Sequence, residues 1–267
     1  MDLYGLIGHP LGHSFSQQYF SEKFRKEGLD HRYENFDFED LEQCRKLFQE
    51  HHNLKGLNVT APYKEKILNY LDGYDTIVDA IKSVNTIKIL PDGKRIGFNT
   101  DIVGFTAILQ ENHLLSGTTS HQDVPREALV LGTGGASKAV QYVLRHQGIP
   151  FHTVSRDPRK GDITYQQLSP ETIQQHLLII NTTPLGTAPH VEAAPDIPYE
   201  GIGSSHWLID LIYNPEETRF LRKGRENGAH TANGLSMLLA QAEASWQIWQ
   251  TPLEKLDRHI LYKVSSR

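Results

Sequence analysis

The sequence predicts an α/β protein with two domains, and three features carry that prediction. Apolar runs alternate with amphipathic stretches almost from end to end, a pattern typical of βα units around a mostly parallel sheet. The 267 residues are enough for two modest domains. A shift in composition near residues 102–125 precedes a fresh, strongly apolar strand at 128–131, which makes that region the best position for a domain boundary.

The composition is that of an ordinary soluble globular protein, with 38% hydrophobic and 22% charged residues. A net charge of −5 argues against a nucleic-acid partner, because a protein that binds nucleic acid is expected to carry a basic face. No stretch approaches the roughly 18 apolar residues of a membrane-spanning helix, and the first residues do not read as a signal peptide. The single cysteine, Cys44, has no partner for an internal disulfide. We therefore expect a cytoplasmic location and no membrane partner.

The 14 histidines are scattered, and their spacing does not predict a metal site. The sequence contains no His-Glu-x-x-His and no paired Cys-x-x-Cys motif. His9 and His13 share a glycine- and proline-rich loop instead of a helical face. We interpret the histidines as exposed or locally hydrogen-bonded side chains and expect no metal cofactor.

In the first hundred residues several predicted strands end at a turn signal. Ser14 is placed to cap a helix that runs to residue 27, because aromatic residues follow it with helical spacing. Pro-Asp-Gly at 91–93 predicts a tight turn between two strands. The predicted strands are 3–8, 33–38, 56–60, 84–89 and 95–99, and a second helix is predicted at 40–50.

The second half of the chain repeats the alternation of strand and helix. A longer helix at 102–112 leads into a polar surface connection at 116–125. The tail predicts a helix at 235–249 and, after Pro252, another that ends near residue 264. The predicted strands, with helices between them, are 128–131, 151–154, 177–180 and 207–211.

The segment 128–140 combines a buried strand, a glycine turn and the start of a helix. Gly132, Gly134 and Gly135 supply the turn, whose exposed amides and helix dipole suit a pyrophosphate. Ser137 stands where the Rossmann fingerprint has its third glycine, so helix and strand are expected to pack slightly less closely. Glycine turns also occur for steric reasons alone, but the strand before and the helix after favour a Rossmann-type dinucleotide site.

The next predicted strand indicates which dinucleotide binds. It ends in Ser-Arg-Asp-Pro-Arg-Lys at 155–160. Arginine accommodates the 2′-phosphate of NADP, whereas an acidic residue binds the ribose hydroxyl of NAD. A hydroxyl and three cations close together suit a phosphate, which favours NADP. Asp157 keeps an NAD ribose open as the alternative.

Four stretches of the first half carry polar residues at or just after predicted strand ends, where open α/β sheets form ligand clefts. They read GHPLGHSFS (8–16), GLNVTAPYK (56–64), SVNT (83–86) and GFNTDIVG (97–104). Further motifs follow in INTTPLG (180–186), DLIYNP (210–215) and NGLSMLLAQ (233–241). Together with the glycine turn they resemble the shikimate dehydrogenase family, in order and over nearly the whole chain.

The resemblance implies both a fold and an activity. The fold is an N-terminal α/β substrate domain, residues 1–103, completed by C-terminal helices at 235–267. A Rossmann-type NADP-binding domain, residues 104–234, lies between them in sequence. The activity is the NADP-dependent, reversible reduction of 3-dehydroshikimate to shikimate in chorismate and aromatic amino-acid biosynthesis. The expected protein is a monomer or homodimer that binds this small-molecule substrate.

The resemblance also implies which side chains act on the substrate. Lys64 and Asp101 would form the catalytic pair, and Ser14 and Ser16 would bind the substrate carboxylate. Without the resemblance, Asp101 is equally well explained as a helix cap, and for Ser14 the roles of cap and ligand are compatible. The ring hydroxyls would be bound by Asn58, Thr60, Asn85, Asp101 and Gln241.

For the cofactor, the resemblance implies three groups of residues. Tyr213, Gly234 and Met237 would line the meeting point of substrate and nicotinamide. Ser155, Arg156 and Lys160 would hold the adenosine phosphate. The rest of the NADP site would consist of Gly132, Gly134, Gly135, Ala136 and Thr182.

Reducing a ketone by hydride transfer leaves negative charge on oxygen, so the site requires a proton donor or fixed cation there, and Lys64 fits that role in the reductive direction. Within the family, a quinate/shikimate dehydrogenase that uses NAD as well as NADP is the alternative. An inactive NADP-binding regulatory protein is the alternative from another class, and intact Lys64 and Asp101 argue against it. The family often has Asn-Arg-Thr where this chain has 155–157, which leaves cofactor selectivity open.

Overall fold

The computed structural model describes residues 1–12, 14–115 and 127–256. They divide into two compact units. Of the described residues, the first unit contains 1–100 and 242–256, and the second contains those from Asp101 to Gln241. The domain boundaries predicted from the sequence, 103/104 and 234/235, differ from this division by a few residues and remain predictions. His13, the predicted connection at 116–125 and the predicted last helix beyond residue 256 lie outside the described residues.

The first unit is built on a six-stranded mixed sheet. Its elements are β1 (Asp2–Gly8), α1 (Phe15–Glu27), β2 (His31–Asp37), α2 (Gln43–Glu50), β3 (Leu54–Val59), β4 (Gly73–Tyr74), α3 (Thr76–Ile81), β5 (Thr86–Ile89) and β6 (Arg95–Phe98). The strand order is β2-β1-β3-β5-β6-β4. The strands β2, β1 and β3 are parallel, and β5 runs antiparallel to both β3 and β6.

The second unit is built on a six-stranded sheet in which every pair is parallel. The strand order is β12-β11-β10-β7-β8-β9. Its elements are α4 (Asp101–Glu111), β7 (Ala128–Leu131), α5 (Gly135–His146), β8 (Phe151–Ser155), β9 (Ile163–Thr164), α6 (Pro170–Gln175), β10 (Leu178–Asn181), β11 (Trp207–Asp210), α7 (Arg219–Glu226), β12 (His230–Ala232) and α8 (Leu235–Gln250). The helix α8 continues past the division at residue 241 into the first unit.

Two apolar clusters in the first unit form its core. One contains Tyr4, Phe20 and Phe24 packed with Ile248 and Trp249 from the end of α8. The other gathers buried side chains of β1, β3, α2, α3 and β5. Trp249 also donates its indole N–H to the carbonyl of Ile87 at 3.0 Å, so the last turn of α8 is hydrogen-bonded to the sheet. Residues at the end of α8 therefore complete the apolar packing against the first sheet.

The predicted α/β class is confirmed, with corrections to individual elements. Ser14 caps α1 as predicted, accepting a hydrogen bond from the amide of Gln17. The helix predicted at 40–50 begins only at Gln43, because the Asp40 carboxylate accepts from the amide of Glu42 in a turn. After Pro252 the described residues form a 3-10 turn, Leu253–Lys255, instead of an α-helix. Among described residues, no helix is both long and apolar enough to cross a membrane.

Candidate active site

A buried group of uncharged polar side chains crosses the first sheet, and we call it the amide–hydroxyl cluster. The Asn58 amide nitrogen donates to the Ser245 hydroxyl at 3.0 Å and lies 3.4 Å from that of Thr86. The Asn85 side-chain oxygen accepts from the Thr100 amide at 2.7 Å. All members are at most 4% exposed. The cluster consists of Asn58, Asn85, Thr86, Thr100 and Ser245.

The cluster brings together two predicted substrate ligands, Asn58 and Asn85. Asn58 donates to the carbonyl of Asn85 at 3.3 Å and accepts from the phenol of Tyr33 at 2.8 Å. Buried polar groups need such partners, because leaving one unpaired costs about 1–3 kcal/mol. Both amides therefore have a structural role in the described protein, whatever they contribute to ligand binding.

Four residues of this arrangement were not among the predicted site residues: Tyr33, Thr86, Thr100 and Ser245. Tyr33 is 4% exposed and Ser245 is fully buried, although serine in a helix interior is usually a solvated residue. A signal was present in α8, where Ser245 occurs on the side of the helix that also carries Ile248 and Trp249. A hydroxyl among apolar neighbours on one helix face indicates a buried polar partner.

The predicted carboxylate ligands lie at the start of α1. Ser14 is the cap residue, with an extended backbone, and its hydroxyl accepts the Gln17 amide at 3.4 Å. Ser16, half-buried, hydrogen-bonds to the phenol of Tyr33. Through Tyr33 this side chain is linked to Asn58 and hence to the amide–hydroxyl cluster. Both serines are thus positioned by local structure next to the carboxyl end of β1, where a ligand cleft is expected.

Lys64 and Thr60 are held by backbone bonds just beyond β3. The carbonyl of Lys64 accepts from the amide of Val84 at 2.8 Å, which fixes Lys64 beside the residue that precedes Asn85. The amide of Thr60 donates to the carbonyl of Ile7 at the end of β1. Both side chains are half-buried. The predicted catalytic lysine and the predicted ligands of the first unit therefore follow neighbouring strands.

In the second unit the predicted cofactor residues follow the carboxyl ends of parallel strands. Gly132 follows β7, Ser155 ends β8, Thr182 follows β10 and Gly234 follows β12. Parallel strands place their carboxyl ends at one edge, so these residues share one edge of the sheet. Such an edge is where open α/β sheets bind ligands.

The glycine turn has the conformation that a dinucleotide site requires. Gly132 has φ +105°, a backbone conformation that L side chains rarely adopt. A Cβ there would also lie 2.8 Å from the hydroxyl oxygen of Thr182. Gly134, the cap of α5, has open space where a Cβ would point, so an anion can approach its amide closely. Ala136, one position past Gly135, lies in the first turn of α5.

Ser137 replaces the third fingerprint glycine without leaving a polar group unpaired. Its side chain is fully buried, and its hydroxyl donates to the carbonyl of Gly132 at 2.7 Å. It also accepts from the side chain of Gln141 at 3.0 Å. The serine therefore ties the first turn of α5 back to the glycine turn.

In the loop after β8, the acidic candidate for binding an NAD ribose and the basic candidates for binding the NADP phosphate have different surroundings. Asp157 accepts two bonds from the guanidinium of Arg159, at 3.0 and 2.9 Å, and these lower its pKa below the ordinary range. Its ionised carboxylate is therefore already paired with a cation of the same loop. Arg156 and Lys160 are exposed. Ser155 is buried and accepts the amide of Asp157 at 3.1 Å, which shapes the loop.

A buried carboxylate organises two further strand ends of the second unit. Asp210 is fully buried and accepts from Thr218 at 2.6 Å, from Asn181 at 3.1 Å and from the amide of Ile212 at 3.1 Å. Burial raises the pKa of Asp210 to about 6, and the three hydrogen bonds oppose that rise. The loops after β10 and β11 are thereby fixed to each other.

The remaining predicted residues lie around the loop before α8, in α8 itself and at the start of α4. The amide of Gly234 donates to the carbonyl of Ile212, and a Cβ at this glycine would clash with the carbonyl of Leu211. Tyr213 comes directly after Ile212 in the sequence, and burial raises the pKa of its phenol. Met237, 7% exposed, packs against Gly104 of α4. Asp101, 5% exposed, begins α4, and Gln241 donates to the carbonyl of Leu238.

The comparisons with known proteins agree on one family. The model of the shikimate dehydrogenase substrate binding domain matches residues 6–87. A shikimate dehydrogenase (NADP(+)) of Methanococcus maripaludis is 36% identical, with 92% of this chain and 91% of the relative covered. This chain belongs to the shikimate dehydrogenase family. A relative of the same description from Clostridium beijerinckii is 38% identical over 94% of this chain and 92% of its own.

A solved structure supports the family assignment at the level of the fold. The shikimate 5-dehydrogenase of Thermus thermophilus, in complex with NADP(H) and shikimate, superimposes with a TM-score of 0.80. It is 30% identical, and the alignment covers 94% of each chain. The family resemblance predicted from the motifs is therefore confirmed, whereas the individual roles of the residues remain predictions.

Proposed function

We propose that this protein is an NADP-dependent shikimate dehydrogenase that reversibly reduces 3-dehydroshikimate to shikimate. The observation that carries the proposal is identity of 36–38% to shikimate dehydrogenases (NADP(+)) over more than nine-tenths of the chain. The glycine turn and the strand-end residues of the second unit fit a bound dinucleotide, because Gly134 leaves room at the amino end of α5.

NADPH, when bound, supplies the hydride for the 3-keto group. In our proposal the Lys64 ammonium stabilises the developing negative charge on the ketone oxygen and donates the proton to it. Asp101 orients the lysine and a substrate hydroxyl. Ser14 and Ser16 hold the carboxylate, while Asn58, Thr60, Asn85 and Gln241 bind the ring hydroxyls. In the oxidative direction Lys64 accepts the proton that the hydroxyl releases.

Cofactor choice is proposed to rest on Arg156 and Lys160, which are exposed and cationic and suit the 2′-phosphate of NADP. The pairing of Asp157 with Arg159 removes the acidic group that an NAD ribose would use. The alternative, a quinate/shikimate dehydrogenase with both cofactors, requires a carboxylate elsewhere in the loop or a rearranged Asp157.

The test is a spectrophotometric assay of NADP reduction with shikimate and of NADPH oxidation with 3-dehydroshikimate. We expect turnover in both directions, a marked preference for NADP over NAD, and little activity with quinate. Binding of NADPH without any turnover would instead indicate an inactive regulatory protein. Equal rates with quinate and with NAD would indicate the dual-specificity alternative.

A further inference from the structure

Three side chains from distant parts of the second unit meet at its sheet. They are Glu127, just before β7, His152 in β8, and His176, between α6 and β10. The strand order β10-β7-β8 makes these neighbours at the amino ends of their strands. That edge is opposite to the one that carries Gly132.

The three ligand atoms lie at the spacing of a tetrahedral metal site. His152 Nδ1 is 3.3 Å from a carboxylate oxygen of Glu127 and 3.1 Å from His176 Nε2. The same carboxylate oxygen is 3.7 Å from His176 Nε2. Two ligands bound tetrahedrally to Zn²⁺, each about 2.0–2.1 Å from it, are about 3.3 Å apart. The triangle therefore fits around one such ion.

The orientation of His176 also suits a metal ligand. Its Nδ1 lies 2.7 Å from the carbonyl oxygen of Thr172, which only accepts, so Nδ1 carries the proton. In the neutral ring, Nε2 then presents its lone pair towards His152 and Glu127. A backbone carbonyl that fixes the second nitrogen is the usual support of a histidine ligand. The side chain of His176 is only 6% exposed, which holds this orientation in place.

We propose that Glu127, His152 and His176 form a binding site for one Zn²⁺ ion. Two imidazoles and a carboxylate are ligands that Zn²⁺ prefers, and a water completes the fourth position. The side chains of His152 and Glu127 are 45% and 34% exposed, so the ion enters from solvent. Since β7 separates Glu127 from Gly132 by roughly 16 Å, the ion braces the sheet and takes no part in hydride transfer. The bound ion links the starts of β7, β8 and β10.

The test is a titration of the untagged, chelator-treated protein with Zn²⁺, followed by calorimetry and by the melting temperature. We expect one ion per chain and a rise of the melting temperature with Zn²⁺, because binding to the folded state stabilises it. Co²⁺ at the same site should give the intense visible absorption of a tetrahedral centre.

Variants locate the ion. His152→Ala and Glu127→Gln should each weaken Zn²⁺ binding at least about ten-fold, since even an indirect partner of a metal ligand contributes that much. His190→Ala, at an exposed histidine of the same unit, is the matched control and should leave binding unchanged. NADP binding by every variant verifies that the unit is folded. Absence of stoichiometric Zn²⁺ binding, or equal binding by His152→Ala and wild type, would overturn the site.

Discussion

The two sheets keep their polar side chains in different places. In the first unit, Asn58 and Ser245 lie inside the structure, uncharged, and are hydrogen-bonded within the amide–hydroxyl cluster. In the second unit, polar side chains gather where strands end, and they include the buried carboxylate of Asp210 and the exposed cation of Arg156. The hydrogen bonds within this neutral cluster involve no titrating group. Charged strand ends give a site that responds to pH and to anions.

In the proposed function the proton donor is Lys64 of the first unit, and Lys64→Ala is the most severe test of that role. We expect kcat to fall by about 10²–10⁴, because a general acid typically contributes that factor. The dissociation constant for NADP should stay within two-fold, roughly, of wild type.

Lys66→Ala, at an exposed lysine two positions on, is the matched control and should be as active as wild type. If Lys64 and Asp101 act as a unit, the double variant with Asp101→Asn should be little slower than either single variant. Losses that multiply would mean that the two residues act independently.

Asp210→Asn tests whether the buried carboxylate of the second unit makes the stability of the protein depend on pH. The folded-state pKa of about 6 lies above the ordinary 3.8, so the folded protein binds this proton more tightly than the unfolded chain. Stability from this group is present at low pH and is lost as pH rises from about 4 to about 6. The variant lacks this loss, so its free energy of unfolding relative to wild type should rise by about 3 kcal/mol across that range. Urea denaturation at a series of pH values measures it, and parallel pH profiles would contradict it.

Arg156→Ala tests whether surface cations of the second unit select the cofactor. A charge-assisted bond contributes about 1.5–3 kcal/mol, so affinity for NADP should fall about 10- to 100-fold while affinity for NAD changes little. Arg159→Ala leaves the carboxylate of Asp157 without its guanidinium partner and should improve NAD binding relative to NADP. Fluorescence titration with both cofactors gives the ratio. Equal losses for NADP and NAD in Arg156→Ala would remove phosphate recognition from this loop.

Ser16→Ala asks whether a residue linked to the internal cluster also binds substrate. One lost bond to a carboxylate should raise KM for shikimate about ten-fold or more, with kcat less affected. Ser21→Ala, exposed on the same helix, is the control. A substrate analogue with the carboxylate reduced to an alcohol should be insensitive to the change. If the analogue and shikimate suffer equally, Ser16 serves only to support Tyr33.

The smallest effect is expected inside the amide–hydroxyl cluster. Ser245→Ala removes a partner of Asn58, Thr86 and Thr100 and should lower the free energy of unfolding by about 1–2 kcal/mol. Because the cluster is uncharged, this loss should be the same at pH 5 and pH 8. A loss that varies with pH would show that the cluster is coupled to a titrating group.

Sequence patterns predicted those parts of the molecule that local chemistry determines. The cap at Ser14 and the strand Ala128–Leu131 with its glycine turn were predictable, because each rests on adjacent residues. The short strand β4 was not, since Gly73–Tyr74 has no strand signal and exists only by pairing with β6. Likewise β12 is too short and too polar to stand out.

The site residues likewise divide into those that local motifs indicate and those that long-range contacts bring together. Motifs indicated Lys64, the glycine turn and the cationic loop, but not the partners that surround them. Ser245 joins Asn58 only because α8 returns to the first sheet. The meeting of Glu127, His152 and His176 depends on strand order, which no local spacing encodes. Long-range pairing was the missing information in each case.

The return of α8 to the first sheet has a consequence during synthesis on the ribosome. Phe20 and Tyr4 are covered by Ile248 and Trp249, and the buried Lys88 donates to the carbonyls of those same two residues at 2.8 and 2.6 Å. At about 5–20 residues per second, the ribosome needs about 8–30 s to pass from residue 100 to residue 250. Throughout that interval the aromatic face of the nascent sheet is exposed, because Ile248 and Trp249 have not yet been synthesised. Chaperone binding to the nascent chain should therefore last until Trp249 emerges, although residues 101–241 are complete sooner.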